Sequence, residues 1–169
     1  KAGCSKSPFH FFTKLIKCTT LRRPWLMKYG ELEEGMKLVS RSRIITPTDV
    51  DLFAAITGAT NPLFLSDDYA RRIGHEGRLV PGLLTLCTAM GLIYQLGLFD
   101  DIIALLGLDG VRFTAPVRPG DEIRVEVEIL EKRATRTPNR GLVKLKASCK
   151  NLTRNTVCLE WEQTILVSM

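Results

Sequence analysis

The run LVPGLLTLCTAMGLIYQLGLF, residues 79–99, contains 21 consecutive residues without a charge. That length is enough to raise the question of a membrane span. Pro81, Gln95 and three glycines interrupt the apolar pattern and make the run a poor candidate for one. We therefore predict no membrane span. We predict a long helix buried on nearly all sides inside a soluble domain, with Cys87 as an unreactive core thiol.

The chain that follows this helix alternates apolar and polar residues with the period of two that half-buried strands require. IRVEVEILEK, residues 123–132, shows the pattern most clearly, and the turn-forming segments RPGDE and PNRG lie on either side of it. VCLEWEQTILV, residues 157–167, supplies a last strand. Short turns between consecutive strands imply an antiparallel meander. We predict an α+β fold in which an antiparallel β-sheet wraps around the long central helix.

Two shorter helices precede the long one. TPTD, residues 46–49, places a hydroxyl at an N-cap, proline at the first helical position and an acid in the first turn. Gly58 can take the left-handed conformation that ends this helix. The stretch TGATNPLFLS, residues 57–66, then bends the chain with Gly, Asn and Pro, yet its remaining residues do not ionise. Ser66 opens the next short helix as its cap.

Length and charge limit the classes of protein to consider. The 169 residues suffice for one domain with a core. Residues 1–30 contain seven bases and no acid, so residues 31–169 contain the other 17 of the 24 bases together with all 18 acids. With no basic cluster or groove-reading motif in the domain, we predict no nucleic-acid partner.

Five widely spaced cysteines and two histidines form no zinc pattern, so we expect neither a metal nor a cofactor.

Residues 1–28 form a basic N-terminal extension ahead of a compact domain, residues 29–169. Phe9, Phe12 and Ile16 recur at roughly helical spacing among lysines. This pattern is typical of an organelle transit segment or a membrane-surface helix, or of a cap that docks its rings on the domain; we expect the cap. The cysteine usage indicates a reducing compartment, so we predict a cytoplasmic location, or an organelle matrix if the extension is a presequence.

Three blocks in a fixed order carry a resemblance: DLFAAITGATNPLFLSDDYA, then GRLVPGLL, then VRFTAPVRPGDEIRVEVEI. Together they resemble the MaoC-like, (R)-specific enoyl-CoA hydratase family of the hot-dog fold, from about Met36 to Leu166. The resemblance implies a hot-dog domain that forms a homodimer or a higher assembly. It also implies that an acyl-CoA or acyl-carrier-protein thioester binds at the subunit interface.

The hydratase motif of that family is similar to G-D-x-N-P-x-H-x-D. Its Asp and His share the water that adds to, or leaves from, the double bond of an enoyl thioester. This sequence keeps Gly58, Asn61 and Pro62 of the motif, but Ala59 stands at the Asp position and Phe64 at the His position. Neither side chain can transfer a proton, so the catalytic residues are unknown.

The resemblance implies four substrate-binding residues. Asn61 shapes the turn, and Phe64 gives the site an apolar wall. Pro81 and Gly82 begin the long helix, where the N–H of Gly82 can polarise the thioester carbonyl. For Arg118, in the third block, we expect a solvated salt bridge in preference to a contact with CoA phosphates.

Three functions stay open at this point. The first, which we favour, is a protein that binds acyl thioesters without hydrating them. The second is a thioesterase or hydratase with substitute groups, of which His75 is the main candidate, with Glu76, Asp67 or Asp68 as a carboxylate. The third is a non-catalytic partner of an active hot-dog chain, or a subunit that senses acyl-CoA.

Overall fold

A computed structural model describes residues 27–98 and 100–169. After a short 3-10 turn at Tyr29–Glu31, these residues form six strands and four helices. In chain order the elements are β1 Lys37–Val39, β2 Arg43–Ile44, α1 Pro47–Thr57, α2 Pro62–Leu65, α3 Asp67–Arg72, α4 Gly82–Tyr94, β3 Ile102–Phe113, β4 Glu122–Ala134, β5 Arg140–Asn151 and β6 Thr156–Ser168.

The strands form one antiparallel sheet in the order β1, β4, β5, β6, β3, and β2 also pairs with β4. The meander predicted from the turn residues is therefore present as β4, β5 and β6. Strand β3 precedes them along the chain but pairs with β6 at the edge of the sheet. The predicted α+β class, with an antiparallel sheet around a helix, is confirmed.

The two faces of the sheet follow the alternation of its sequence. On β4, Ile123, Val125 and Val127 are buried against the core, while the charged residues between them point to the other face. That other face carries cross-strand ion pairs such as Lys144–Glu162, whose Nζ and Oε2 atoms lie 2.7 Å apart. One face of the sheet is therefore available to cover α4.

Helix α4 supplies the other half of the core, but it is shorter and less enclosed than predicted. It spans 13 residues, and its buried residues are Thr85, Leu86, Thr88, Ala89, Leu92 and Ile93. The prediction of burial on nearly all sides was wrong for one face, because Leu83 is 61% exposed, Tyr94 is 42% exposed and Cys87 is exposed. This face is as apolar as the buried one, so sequence periodicity could not separate the two.

No helix among the described residues is both long enough and apolar enough to cross a membrane. The predicted extension, residues 1–28, lies outside the described residues except for Met27 and Lys28, so its role stays a prediction. Met27 donates its backbone N–H to the carbonyl of Gly97 at 3.1 Å. The described chain thus begins beside the end of α4.

Candidate functional site

The turn between α1 and α3 is built by its own polar residues. We call residues 58–66 the overhang. Gly58 ends α1 with a φ of 73°, in the left-handed region. The Oδ1 atom of Asn61 accepts a hydrogen bond from the N–H of Leu63 at 2.9 Å, and the Oγ atom of Ser66 accepts one from Tyr69 at 3.2 Å. Asn61 therefore caps α2, as the structural role predicted for it requires.

Backbone hydrogen bonds attach the overhang to the chain that leads into α4. The N–H of Leu79 donates to the carbonyl of Leu63 at 3.1 Å. The N–H of Arg78 donates to Oδ1 of Asp67 at 2.8 Å, just beyond the overhang. Phe64 follows Leu63 directly, so the structure brings the overhang next to the segment that contains Pro81 and Gly82.

The start of α4 forms the other side of the site. Pro81 is buried at the N-cap and provides no side-chain hydrogen bond to the helix. The first N–H groups of an α-helix have no partner within the helix, and the helix dipole makes them attractive to negative charge. A Cβ atom on Gly82 would lie 3.0 Å from the ring of Phe113, so the glycine allows this ring to pack on the backbone.

The two side chains that the sequence resemblance aligns with the Asp and His of the hydratase motif are both apolar and partly buried. Ala59 is half-buried. Phe64 is also half-buried and packs against the hydrophobic core. Neither side chain could accept or return a proton, so the overhang presents a hydrocarbon wall.

The carboxylates that sequence analysis considered as substitutes are engaged elsewhere. Glu76 forms ion pairs with Arg118 and, at 3.5 Å, with Arg154. The hydrogen bond and charge of Arg118 lower the pKa of Glu76, which weakens this carboxylate as a base. Asp68 pairs with Arg71 at 3.2 Å, and its side chain is 91% exposed.

His75 is half-buried, and its backbone N–H donates to the carbonyl of Ala70 at 2.9 Å. Among residues 27–98 and 100–169, no hydrogen bond or ion pair orients its imidazole. Within the same residues no group of three histidine, cysteine or acidic side chains could hold a metal ion.

The sequence did not predict the network of ion pairs and hydrogen bonds around Glu76. It predicted a salt bridge for Arg118, which is confirmed, but not the partner. The buried carboxylate of Asp121 accepts hydrogen bonds from the backbone N–H of Arg118 at 2.9 Å, from Nδ2 of Asn151 at 2.7 Å and from Nε of Arg154 at 3.2 Å. The only sequence signal was the polar Asn151 at a strand end, and nothing in the sequence pairs it with Asp121.

An antiparallel sheet packed on a central helix, with a site where an overhang meets the start of that helix, defines a hot-dog protein. Residues 31–151 match the family described as a MaoC like domain, and the chain belongs to that family.

Individual relatives agree with this assignment. The chain is 30% identical over 132 residues to a 3-hydroxybutyryl-CoA dehydratase of Methylorubrum extorquens, which covers 73% of this chain and 74% of that one. An R-hydratase of Pseudomonas aeruginosa superposes with a TM-score of 0.69 at 32% identity, over 83% and 84% of the two chains. A Mycobacterium tuberculosis protein with a double hot-dog fold gives a TM-score of 0.76 at 20% identity, over 86% of this chain and 45% of that one.

Proposed function

We propose that this protein binds acyl thioesters, as acyl-CoA or acyl-carrier-protein, and does not hydrate them. The dehydratase and the hydratase to which it is similar bear names that describe water removal and addition. The observation that carries the proposal is the pair Ala59 and Phe64, which occupies the proton-transferring positions of the motif. Both side chains lie in the overhang, which is attached to the chain that leads to Gly82.

Binding of a thioester requires fewer functional groups than its hydration does. The N–H of Gly82 would donate to the thioester carbonyl, and the helix dipole would strengthen that contact. Phe113 on one side and Phe64 on the other would exclude water from the acyl chain. Hydration would also need a group that takes a proton from water and one that returns it, and Glu76 is already bound to Arg118.

We also propose that the protein acts as a homodimer or a higher assembly. Strand β3 is an edge strand, so it presents unpaired backbone groups. Large apolar side chains are exposed both on this strand and on one face of α4: Leu83, Tyr94, Ile103, Leu105, Leu106 and Phe113. A second copy is the occupant that the family assembly favours, and Phe113 places this face beside the site.

Calorimetric titration with butyryl-CoA tests binding, and the loss of ultraviolet absorbance of crotonyl-CoA tests hydration. We expect saturable binding with a Kd on the order of 10 μM, no binding of CoA alone at that concentration, and no hydration. Acyl-carrier-protein replaces the CoA ester in a second arm. Turnover of crotonyl-CoA at a kcat on the order of 1 s⁻¹ or above would show that substitute groups catalyse the reaction.

A further inference from the structure

We propose that residues 76–80, which we call the bracket, fix the overhang and the start of α4 relative to each other, with Glu76 and Arg78 as positioning residues for the Gly82 N–H. This inference rests on the proposed thioester site. It assigns a role to an ion-pair network that the proposed function does not otherwise use.

One set of hydrogen bonds connects the bracket to α1, to the overhang and to Asp67 just beyond it. The N–H of Arg78 donates to Oδ1 of Asp67 at 2.8 Å, and its Nη1 atom donates to Oδ1 of Asp51 at 3.0 Å. The side chain of Arg78 is only 19% exposed. The next residue, Leu79, donates its N–H to Leu63 at 3.1 Å. Two consecutive bracket residues therefore bond to α1, α2 and α3.

A second set of contacts connects the bracket to Val117 and Arg118, in the chain before β4. Glu76 pairs with the guanidinium of Arg118, whose side chain is 15% exposed. The N–H of Val80 donates to the carbonyl of Val117 at 2.8 Å. The first and last bracket residues are thus held by two adjacent residues, which leaves little freedom for the segment that runs into Pro81.

Arg118 and Arg154, the two partners of Glu76, are themselves bound to a buried carboxylate. Asp121 is 4% exposed and binds the backbone of Arg118, the Nε atom of Arg154 and the amide of Asn151. Arg154 reaches Glu76 in turn, at 3.5 Å. Glu76 is therefore connected to the ends of β4 and β5 and not to a mobile surface side chain alone.

The location of this network favours positioning over stabilisation. The side chain of Glu76 is 73% exposed, and ion pairs at such sites contribute little to the free energy of unfolding. A hydrogen-bond donor that polarises a carbonyl, in contrast, must be held within a few tenths of an ångström of its working position. Loss of the Glu76 contact should therefore affect ligand binding at Gly82 more than it affects folding.

The test compares Glu76→Gln with Glu162→Gln in the full chain. Both substitutions remove one carboxylate from an ion pair, but the Lys144–Glu162 pair lies on the outer face of the sheet. Amide hydrogen exchange of residues 79–83 is measured without ligand. The ¹³C shift of the thioester carbonyl and the Kd are measured with carbonyl-labelled butyryl-CoA.

For Glu76→Gln we expect exchange at residues 79–83 to accelerate about threefold or more and the Kd to rise roughly tenfold. The carbonyl shift should move toward its value in free butyryl-CoA, while Tm matches that of Glu162→Gln. Asp51→Asn, which loosens the opposite side, should move the same three quantities in the same direction.

Equal amide exchange rates at residues 79–83 and an equal carbonyl shift in Glu76→Gln and Glu162→Gln would overturn the proposed positioning role of the bracket. A wild-type protein that binds no thioester would overturn the proposed function instead. In that case the exchange comparison alone decides whether residues 76–80 hold the start of α4.

Discussion

Leu79 and Leu63 are joined by a backbone hydrogen bond of 3.1 Å, from the N–H of the first to the carbonyl oxygen of the second. This bond places the residue after Leu63, Phe64, beside the segment that ends at Gly82. A backbone contact does not depend on which side chain stands at position 64. The same backbone frame could therefore hold a different side chain at position 64.

Gly82→Ala should weaken thioester binding with little effect on folding. The added Cβ would lie 3.0–3.1 Å from three atoms of the Phe113 ring, which is 51% exposed and can move aside. The displaced ring and the new methyl group then crowd the N–H of residue 82. We expect about a tenfold rise in Kd for butyryl-CoA, measured by calorimetry, equivalent to about 1.4 kcal/mol. Addition of Phe113→Leu, which keeps an apolar side chain beside the acyl chain but removes the ring, should restore part of the affinity, and no recovery would contradict this explanation.

Gly58→Ala should destabilise the fold through backbone conformation alone. Gly58 has a φ of 73°, and nothing lies within 4 Å of an added Cβ. We expect the free energy of unfolding in urea to fall by about 1 kcal/mol. Gly91→Ala is the matched control, because Gly91 lies inside α4 with equally open space and no positive φ. That variant should gain up to about 1 kcal/mol, and a loss of the same size in both would contradict the conformational account.

Local signals predicted the helix caps correctly because the interactions are local. Thr46 caps α1 and Ser66 caps α3, each through a side-chain oxygen that accepts a hydrogen bond from the backbone N–H three residues ahead. The strand alternation of β4 is equally direct, since burial on one face leaves a period of two in the sequence.

The long-range contacts of the site could not be predicted in this way. Asp121 binds Asn151, which lies 30 residues later in the chain, and Glu76 pairs with Arg118 and Arg154, which lie 42 and 78 residues later. Charged residues of these types occur throughout the chain, so no spacing singles out these partners. The exposed face of α4 was missed for a related reason: its residues are as apolar as those that face the core.

Asp49→Asn should lower stability near neutral pH and have no effect in acid. The backbone N–H of Thr46 donates to Asp49 at 2.8 Å and is the main cause of the lowered pKa of this carboxyl; the Thr46 hydroxyl and Arg43 add to it. A lowered folded-state pKa gives stability that is present above the unfolded value, near 4, and is lost as pH falls through the folded value. Asparagine resembles the protonated acid.

We therefore expect Asp49→Asn to cost about 0.5–1 kcal/mol at pH 7 in urea unfolding, and the difference from wild type to close progressively below about pH 4. Thr46→Ala should lose a similar amount at pH 7 through the same cap. A difference for Asp49→Asn that persists unchanged at pH 2 would show that the carboxylate charge is not the cause.

Leu105→Asp should convert the proposed dimer into a monomer. Leu105 is 40% exposed on the edge strand β3, and a charge there would be placed in the apolar contact between subunits. Leu130→Asp is the control, because Leu130 is 38% exposed but belongs to β4, inside the sheet. Sedimentation velocity should show a dimer for wild type and Leu130→Asp and a monomer for Leu105→Asp. Identical sedimentation of all three would contradict an interface at β3.

Ala59→Asp combined with Phe64→His should create hydration activity, which we propose that the wild-type protein lacks. The overhang already holds these positions near the start of α4, so the two groups would face the double bond of an enoyl thioester bound at Gly82. Acid–base groups of this kind contribute about 10²–10⁴-fold to rate, so we expect crotonyl-CoA hydration at least about 100-fold above wild type. Each single variant should show much less, because only one of the two groups that share the water in the motif would be present.

The matched control moves the same two groups by one residue, as Thr60→Asp with Leu65→His. Both of these positions are exposed in the overhang, so the control tests added charge and imidazole without the motif register. It should bind butyryl-CoA yet hydrate crotonyl-CoA no faster than wild type. Equal rates in the two double variants would mean that position in the overhang does not matter. Wild-type hydration as fast as that of Ala59→Asp with Phe64→His would mean that the apolar pair never removed the activity.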